Sequence, residues 1–271
     1  MTREQPLQGA IEIQDVSVAV GAVRTEVAAV HHVDLSIAPG EFVSFLGPSG
    51  CGKTTLLNAI AGLCRPSHGR ILVDRQPVTG PASDRGLVFQ HHSLFPWRRV
   101  VDNVAFGLKM NGVAARQRRE AARDFLELVG LSGFDDYYPA QLSGGMQQRV
   151  EIARVLINRP RVILMDEPFG ALDAQTRLMM QELLLSIWSK FRTTIVFVTH
   201  DIDEAAFLSD RICVMTNRPG RIKDQIPVEA PRPRSVDDLA SPEMAAVRRQ
   251  CLHLIREESV RPSRKDVQAQ L

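Results

Sequence analysis

Glu41-Phe-Val-Ser-Phe-Leu46 running into Gly47-Pro-Ser-Gly-Cys-Gly-Lys53-Thr54 is the stretch on which the fold turns. The apolar run that stops at Gly47 reads as a short buried strand, and residues 54–63 read as a helix ended by Gly62 and Pro66. Between them the spacing matches G-x-x-x-x-G-K-[ST], a loop whose glycines let backbone N–H groups curl around phosphate oxygens. Gly47, Pro48, Ser49, Gly50, Cys51 and Gly52 form that loop, and the helix that begins near Gly52 adds its dipole. Lys53 then reaches the β- and γ-phosphates of a nucleoside triphosphate, the Thr54 hydroxyl is placed to hold Mg²⁺, and Thr55 lies with them in the first helical turn.

A second strand supplies acids. Val162-Ile-Leu-Met-Asp166-Glu167 is an apolar run ending in two carboxylates, at the C-terminal edge where open parallel sheets bind their ligands. Asp166 suits a Mg²⁺ shell, while Glu167, one residue nearer the phosphate, suits orienting or deprotonating an attacking water. Residues 194–199 make another strand, separated from the first by a helical pattern over 175–191, the rhythm of a parallel sheet. Residues 11–20, 69–73, 86–89, 211–216 and 221–226 also read as strands. From His91 to about Arg159 the pattern turns helical, around residues 100–110 and 116–129, so an α/β core carries an inserted helical lobe. The expected organisation is a nucleotide-binding core in 1–90 and 160–228, the helical part in 91–159, and a linker and helix in 229–271, all one domain. The last helix, over 242–258, is expected to be amphipathic and solvated.

Composition narrows the partners. With 33 Lys+Arg against 31 Asp+Glu the net charge is +2, so no strong overall field points to nucleic acid, and anion binding must be local. Cys51, Cys64, Cys213 and Cys251 fall in no metal-ligand or CxxC spacing, which favours reduced thiols over a zinc site or disulfide framework. No stretch approaches the ~18 apolar residues of a membrane span; if a membrane is involved, another chain crosses it.

Leu142-Ser-Gly-Gly-Met-Gln-Gln-Arg149 goes beyond a general phosphate-loop protein. Ser143, Gly144 and Gly145 precede a helical run through Asn158, a second anion-receptive helix start. With this segment the chain resembles the ABC ATPase family. The resemblance implies a RecA-like, mostly parallel sheet with flanking helices, an N-terminal antiparallel β part and the inserted helical lobe. It also implies that Ser143, Gly144 and Gly145 face the phosphate loop of an opposing subunit, so that two ATP molecules are sandwiched in a head-to-tail dimer, homomeric or heteromeric. Gln90 matches the glutamine that senses Mg²⁺ and the attacking water, Asp173 in Ala171-Leu-Asp173 matches the loop that crosses the dimer interface, and His200 matches the switch histidine at the γ-phosphate. The family's adenine-stacking aromatic has no counterpart, since no Phe, Tyr or Trp occurs between Met1 and Glu41; Val20 or a neighbour takes that place.

Pro96-Trp97 and Asp102-Asn103-Val104, with the stretches from Thr199 to Ala205 and Asn217 to Arg221, resemble the nitrate, sulfonate and taurine branch of importers. That likeness implies an ATPase peripheral to the cytoplasmic face of the membrane, permease subunits that dock near Trp97, an extracytoplasmic solute-binding protein, and no nucleic-acid partner. An exporter ATPase, or a membrane-independent relative acting on nucleic acid or ribosomes, is the alternative. The latter class tends to carry coiled-coil arms, zinc-binding cysteine pairs or a second cassette, none of which is visible here.

Overall fold

The computed structural model describes residues 7–20, 27–90 and 93–260. The lobe boundary expected at His91, the residues before Leu7 and the tail beyond 260 lie outside the described residues.

The chain opens with an antiparallel sheet in which β1 (Ile11–Val20) lies between β2 (Val27–Ile37) and β4 (His68–Val73), with the two-residue β5 (Gln76–Pro77) at the edge. Alternation along β1 and β2 turns Ile11, Ile13, Val33, Leu35 and Ile37 inward, as expected for a sheet with one buried face. The second sheet is built on β3 (Phe42–Leu46), every residue of which is buried. Parallel to it run β6 (Arg85–Val88), β7 (Val162–Asp166), β8 (Thr194–Thr199) and β9 (Arg211–Met215), and β10 (Ile222–Pro227) closes the edge antiparallel to β9. Continuous apolar strands of this kind need cover on both faces. Helix α1 (Lys53–Ala61) and the antiparallel sheet cover one side with Leu56, Leu57 and Ile60. On the other, α5 (Gly144–Leu156) and α6 (Ala174–Phe191) bring Ile152, Leu184 and Trp188 against Phe42 and Phe197.

Register decides where the chemistry converges. Leu46 pairs with Thr199 and Asp166 with Val198, so the residues after β3, β7 and β8 leave the sheet together at one edge. Between β6 and β7 the chain forms α2 (Val100–Val104), α3 (Phe106–Met110), α4 (Ala115–Leu128) and α5. The helical pattern over 100–110 is two short helices because the chain turns at Ala105 and presses Gly107 onto Asn158, where a Cβ would lie 2.0 Å from the Asn158 amide oxygen.

Besides the two-residue β5, two longer elements escaped the sequence reading. β2 was hidden by its polar positions at His31, His32 and Asp34, and α7 (Ile202–Leu208) is only seven residues long, too short to show a period. One expectation is corrected. The last helix, α8 (Pro242–Val260), is not a solvated appendage, because it packs on α7, β9 and β10 and buries Met244 and Cys251 completely. The linker is tied down as well: the buried Arg234 guanidinium donates to the carbonyls of Ala206, Phe207 and Ser209 at the end of α7, and to those of Val228 and Ala230. Burial lowers its pKa to about 10, which leaves it charged at neutral pH.

Candidate functional site

The phosphate loop spans the gap between β3 and α1. Gly50 (φ 76°) and Gly52 (φ 104°) take backbone conformations that side chains disfavour, and a Cβ on Gly52 would lie 2.6 Å from the Ala29 carbonyl oxygen. Gly52 also caps α1 without a side chain, so the first-turn amides of Lys53, Thr54 and Thr55 are left for an anion. Lys53 is buried, its Nζ donating to the carbonyls of Gly47 (2.7 Å) and Pro48 (2.9 Å), which strings the ammonium across the mouth of the loop. Ser49 and Gly50 are exposed at the tip, and Cys51 is buried beneath it. Burial raises the Cys51 thiol pKa, keeping it protonated beside Lys53.

Opposite the loop, the Thr54 hydroxyl donates to Asp166 Oδ1 at 2.9 Å. Asp166 is buried, and desolvation raises its pKa against the opposing effect of the Thr54 hydrogen bond. A buried carboxylate and a hydroxyl set side by side, with Glu167 adjacent, are the hard oxygen donors that Mg²⁺ prefers, so the donor set fits that ion. Glu167 stands in the left-handed region at φ 43°, an uncommon conformation for a residue with a side chain, while its N–H still donates to Val198 O at 3.0 Å. Its Oε2 accepts from Gln90 Nε2 at 3.4 Å and lies 3.1 Å from His200 Nδ1. Lys53, Thr54, Asp166, Glu167, Gln90 and His200 thus come together at one sheet edge.

Asp173, Ser143, Gly144 and Gly145 form a second group. Among the described residues no hydrogen bond or ion pair joins Ser143, Gly144 or Gly145 to residues 47–55. Ser143 caps α5, its Oγ accepting from Met146 N, and Gly144 is exposed beside it. Gly145 is buried against α6, where a Cβ would meet Thr176 Cγ2 at 2.6 Å. Thr176 in turn donates its N–H and hydroxyl to Asp173 (3.0 and 2.7 Å), and these bonds lower the Asp173 pKa. The helix start after Ser143 and the Asp173–Thr176 cap are therefore packed closely side by side within one chain.

Sequence reading missed the residues that join these groups. Arg177 donates to Leu172 O (3.1 Å) and Asp201 Oδ2 (3.4 Å) and lies 3.8 Å from Glu204 Oε1, tying the Asp173 loop to the segment after His200. Glu204 is buried and accepts from Thr199 Oγ1 (2.7 Å) and Gln181 Nε2 (3.3 Å); burial raises its pKa. Ser93, three residues after Gln90, donates its N–H to Glu151 and accepts at its carbonyl from Arg154 (2.8 Å), which fastens the Gln90 segment to α5. Gly220 backs the phosphate loop: its N–H donates to Ala29 O, and a Cβ would lie 2.0 Å from Cys51 O. The signals available were a charged residue at the start of α6, a glutamate four positions after His200, and the glycine of the 217–221 stretch. Val20 is exposed at the end of β1, and residues 21–26 beyond it are outside the described set.

The family model described as ABC transporter matches residues 30–170, from β2 through the phosphate loop and the serine-glycine helix to the two acids at the end of β7. The chain belongs to the ABC transporter family of ATP-binding proteins. It is 52% identical over 232 residues to an ABC transporter ATP-binding protein of Methanocaldococcus jannaschii, covering 86% of each chain. It is 49% identical to the nitrate import ATP-binding protein of Synechocystis, covering 82% of this chain and 83% of that one. Against the taurine import ATP-binding protein of Yersinia pestis it is 53% identical, over 73% and 78% of the two chains. Among solved structures it resembles a dimeric ATP-binding cassette in a post-hydrolysis state bound to ADP and Pi, with a TM-score of 0.72 at 33% identity, covering 81% of this chain and 99% of that one. This chain has the family's fold and belongs with its ATP-hydrolysing subunits. No helix among the described residues is long and apolar enough to cross a membrane.

Proposed function

We propose that this chain powers an ABC importer for nitrate, a sulfonate, taurine or a related small solute, through ATP shared between two copies or a copy and a close relative. The observation that carries the reading is the convergence on Glu167 Oε2 of Gln90 and His200, beside the Thr54–Asp166 pair and the Lys53 loop. In this scheme the amides after Gly52 and the Lys53 ammonium hold the β- and γ-phosphates. Thr54, Asp166 and Gln90 are the residues that would hold Mg²⁺, whose charge offsets that of the phosphate oxygens. Glu167 takes a proton from water as the water oxygen bonds to the γ-phosphorus and the bond to the β–γ bridging oxygen breaks. His200 fixes the carboxylate and contacts the γ-phosphate. Ser143 and Gly144, exposed at the start of α5, close on the ATP of the opposing subunit, with Asp173 crossing the interface.

Docking on the membrane partner is proposed at a groove of about 380 Å³ lined by Trp97, Arg98, Arg99, Asp102 and Tyr138. Trp97 is 71% exposed, unlike a packing anchor. The loop that carries it is held by buried Asn103, which accepts from Phe95 N (2.8 Å) and donates to the carbonyls of Phe95, Arg98 and Arg99. Closure of the ATPase pair then moves permease helices through this surface, at the cytoplasmic face of the membrane. Solute choice lies in the permease and an extracytoplasmic binding protein. The test is co-purification with the permease followed by ATP-driven uptake of nitrate, taurine and alkanesulfonates into vesicles with the binding protein present. Uptake that follows ATP supports the reading, and export or no transport of any of these solutes overturns it.

A further inference from the structure

Three strands of the antiparallel sheet bring Asp15, His32 and His68 together, away from the nucleotide residues. Asp15 lies on central β1, His32 on β2 at one side and His68 on β4 at the other. Asp15 Oδ1 is 2.5 Å from His32 Nδ1, its Oδ2 is 3.0 Å from His68 Nε2, and the three ligand atoms all lie within 4.8 Å of one another. All three side chains are about half exposed, so an ion can reach them.

The backbone is shaped to make this meeting. Asp15 and His32 both adopt φ 49°, the left-handed region, at irregularities where β1 shifts register against both neighbours. Bulges of this kind re-aim side chains, and non-glycine residues in this conformation occur where the surroundings hold them. The surroundings do: Asp15 N–H donates to Asp34 Oδ1 (2.8 Å), His32 N–H donates to Ser17 Oγ (3.0 Å), and β4 approaches so closely that a Cβ on Gly69 would lie 2.2 Å from Asp15 O. Two ligands therefore have their backbones fixed before any ion arrives, the condition under which a small set of donors binds well.

We propose that Asp15, His32 and His68 form a site for one divalent late-transition-metal ion, of which Zn²⁺ and Co²⁺ are the probes. Two imidazole nitrogens and one carboxylate oxygen suit Zn²⁺, Co²⁺, Ni²⁺ or Cu²⁺, and disfavour Mg²⁺ and Ca²⁺, which take oxygen ligands. Three protein ligands leave the remaining positions to water. Binding needs His32 Nδ1 and His68 Nε2 to give up the N–H bonds they make to Asp15, each neutral ring shifting its proton to the other nitrogen and a protonated ring releasing one proton to solvent, so that both lone pairs turn onto a common point. The site is unlike the Thr54–Asp166 pair in both donor type and position, and it does not rest on the transport reading.

The experiment uses the full chain without a polyhistidine tag, because His91, His92, His200 and His253 are also present. Zn²⁺ is titrated by calorimetry and Co²⁺ by visible absorption. One ion per chain is expected, with Co²⁺ d–d bands and no thiolate charge-transfer band, and with affinity falling tenfold or more in His32→Gln and in His68→Gln. His31→Gln, whose ring contacts Ser17 instead, is expected to bind as the parent does. Zn²⁺ is also expected to raise the Tm of the parent, and the rise is lost in His68→Gln. Unchanged affinity in both histidine variants, a thiolate band, or a Zn²⁺-induced Tm rise that survives His68→Gln would each overturn the site and leave a hydrogen-bonded surface cluster. An unchanged metal-free Tm of His68→Gln separates loss of the ligand from loss of the fold.

Discussion

Replacing Arg177 by alanine separates the brace between the Asp173 loop and the His200 segment from the catalytic residues themselves. The side chain donates at 3.1 Å to Leu172 O and at 3.4 Å to Asp201, and its charge lies 3.8 Å from Glu204 Oε1. Breaking one partner of a buried ion pair costs about 3–5 kcal/mol. The lower end applies, because Arg177 is 31% exposed and Thr199 and Gln181 still donate to Glu204. The expected loss is about 3 kcal/mol at neutral pH, a fall in Tm of about 6–12 °C for a chain of this size. The loss depends on pH in a definite direction. Burial already raises the Glu204 pKa, and removing Arg177 raises it further. Above that pKa the buried carboxylate is ionised without its cation, held only by Thr199 and Gln181; as pH falls through it, the carboxyl takes a proton and the penalty shrinks. Thermal melts of parent and variant between about pH 5 and 8 should therefore converge toward the acid end. Arg177→Ala combined with Glu204→Gln should lose less than Arg177→Ala alone, because no ionised carboxylate is left behind. Hydrolysis at saturating ATP should fall about tenfold with KM near the parent value, since the phosphate loop is untouched. A pH-independent Tm difference, or a double variant as unstable as the sum of the singles, would refute the reasoning.

Lys53→Ala should abolish ATP binding measured by equilibrium dialysis while leaving Tm near the parent value; retained binding would remove Lys53 from the phosphate site. Gly220→Ala forces a Cβ toward Cys51 O and should distort the phosphate loop by about 1–3 kcal/mol, read as a rise in KM for ATP of about fivefold or more. Arg234→Ala strips donors from buried carbonyls at the end of α7 and should cost about 3 kcal/mol in chemical denaturation. Arg234→Lys should rescue little of it, because an ammonium cannot span the carbonyls that the planar guanidinium reaches.

The parts of the fold legible in the sequence are those with a short-range signature. The phosphate loop is a local pattern of glycines and lysine, and β3, β7 and β8 are mostly apolar runs, broken inside only by Ser44 of β3, so each declares itself within a dozen residues. The strand partners were less accessible. β2 places His31, His32 and Asp34 on its outer face, and only its pairing with β1 makes it a strand. The contact of Gly145 with Thr176 and the convergence of Gln90 and His200 on one oxygen of Glu167 join residues 31, 77 and 33 positions apart, a spacing that leaves no periodic trace. Arg177 and Glu204 look like ordinary charges on helices until α6 and α7 pack together. The same holds for α8, whose polar residues suggested solvent while Met244 and Cys251 face α7 and the sheet edge.

The central claim, that Glu167 activates water on an ATP held jointly by two chains, is tested most directly by light scattering on Glu167→Gln. With Mg-ATP this variant should form a stable dimer that ADP does not support and that Ser143→Arg in the same chain abolishes. A Glu167→Gln protein that stays monomeric under Mg-ATP while hydrolysing it at the parent rate would contradict the account.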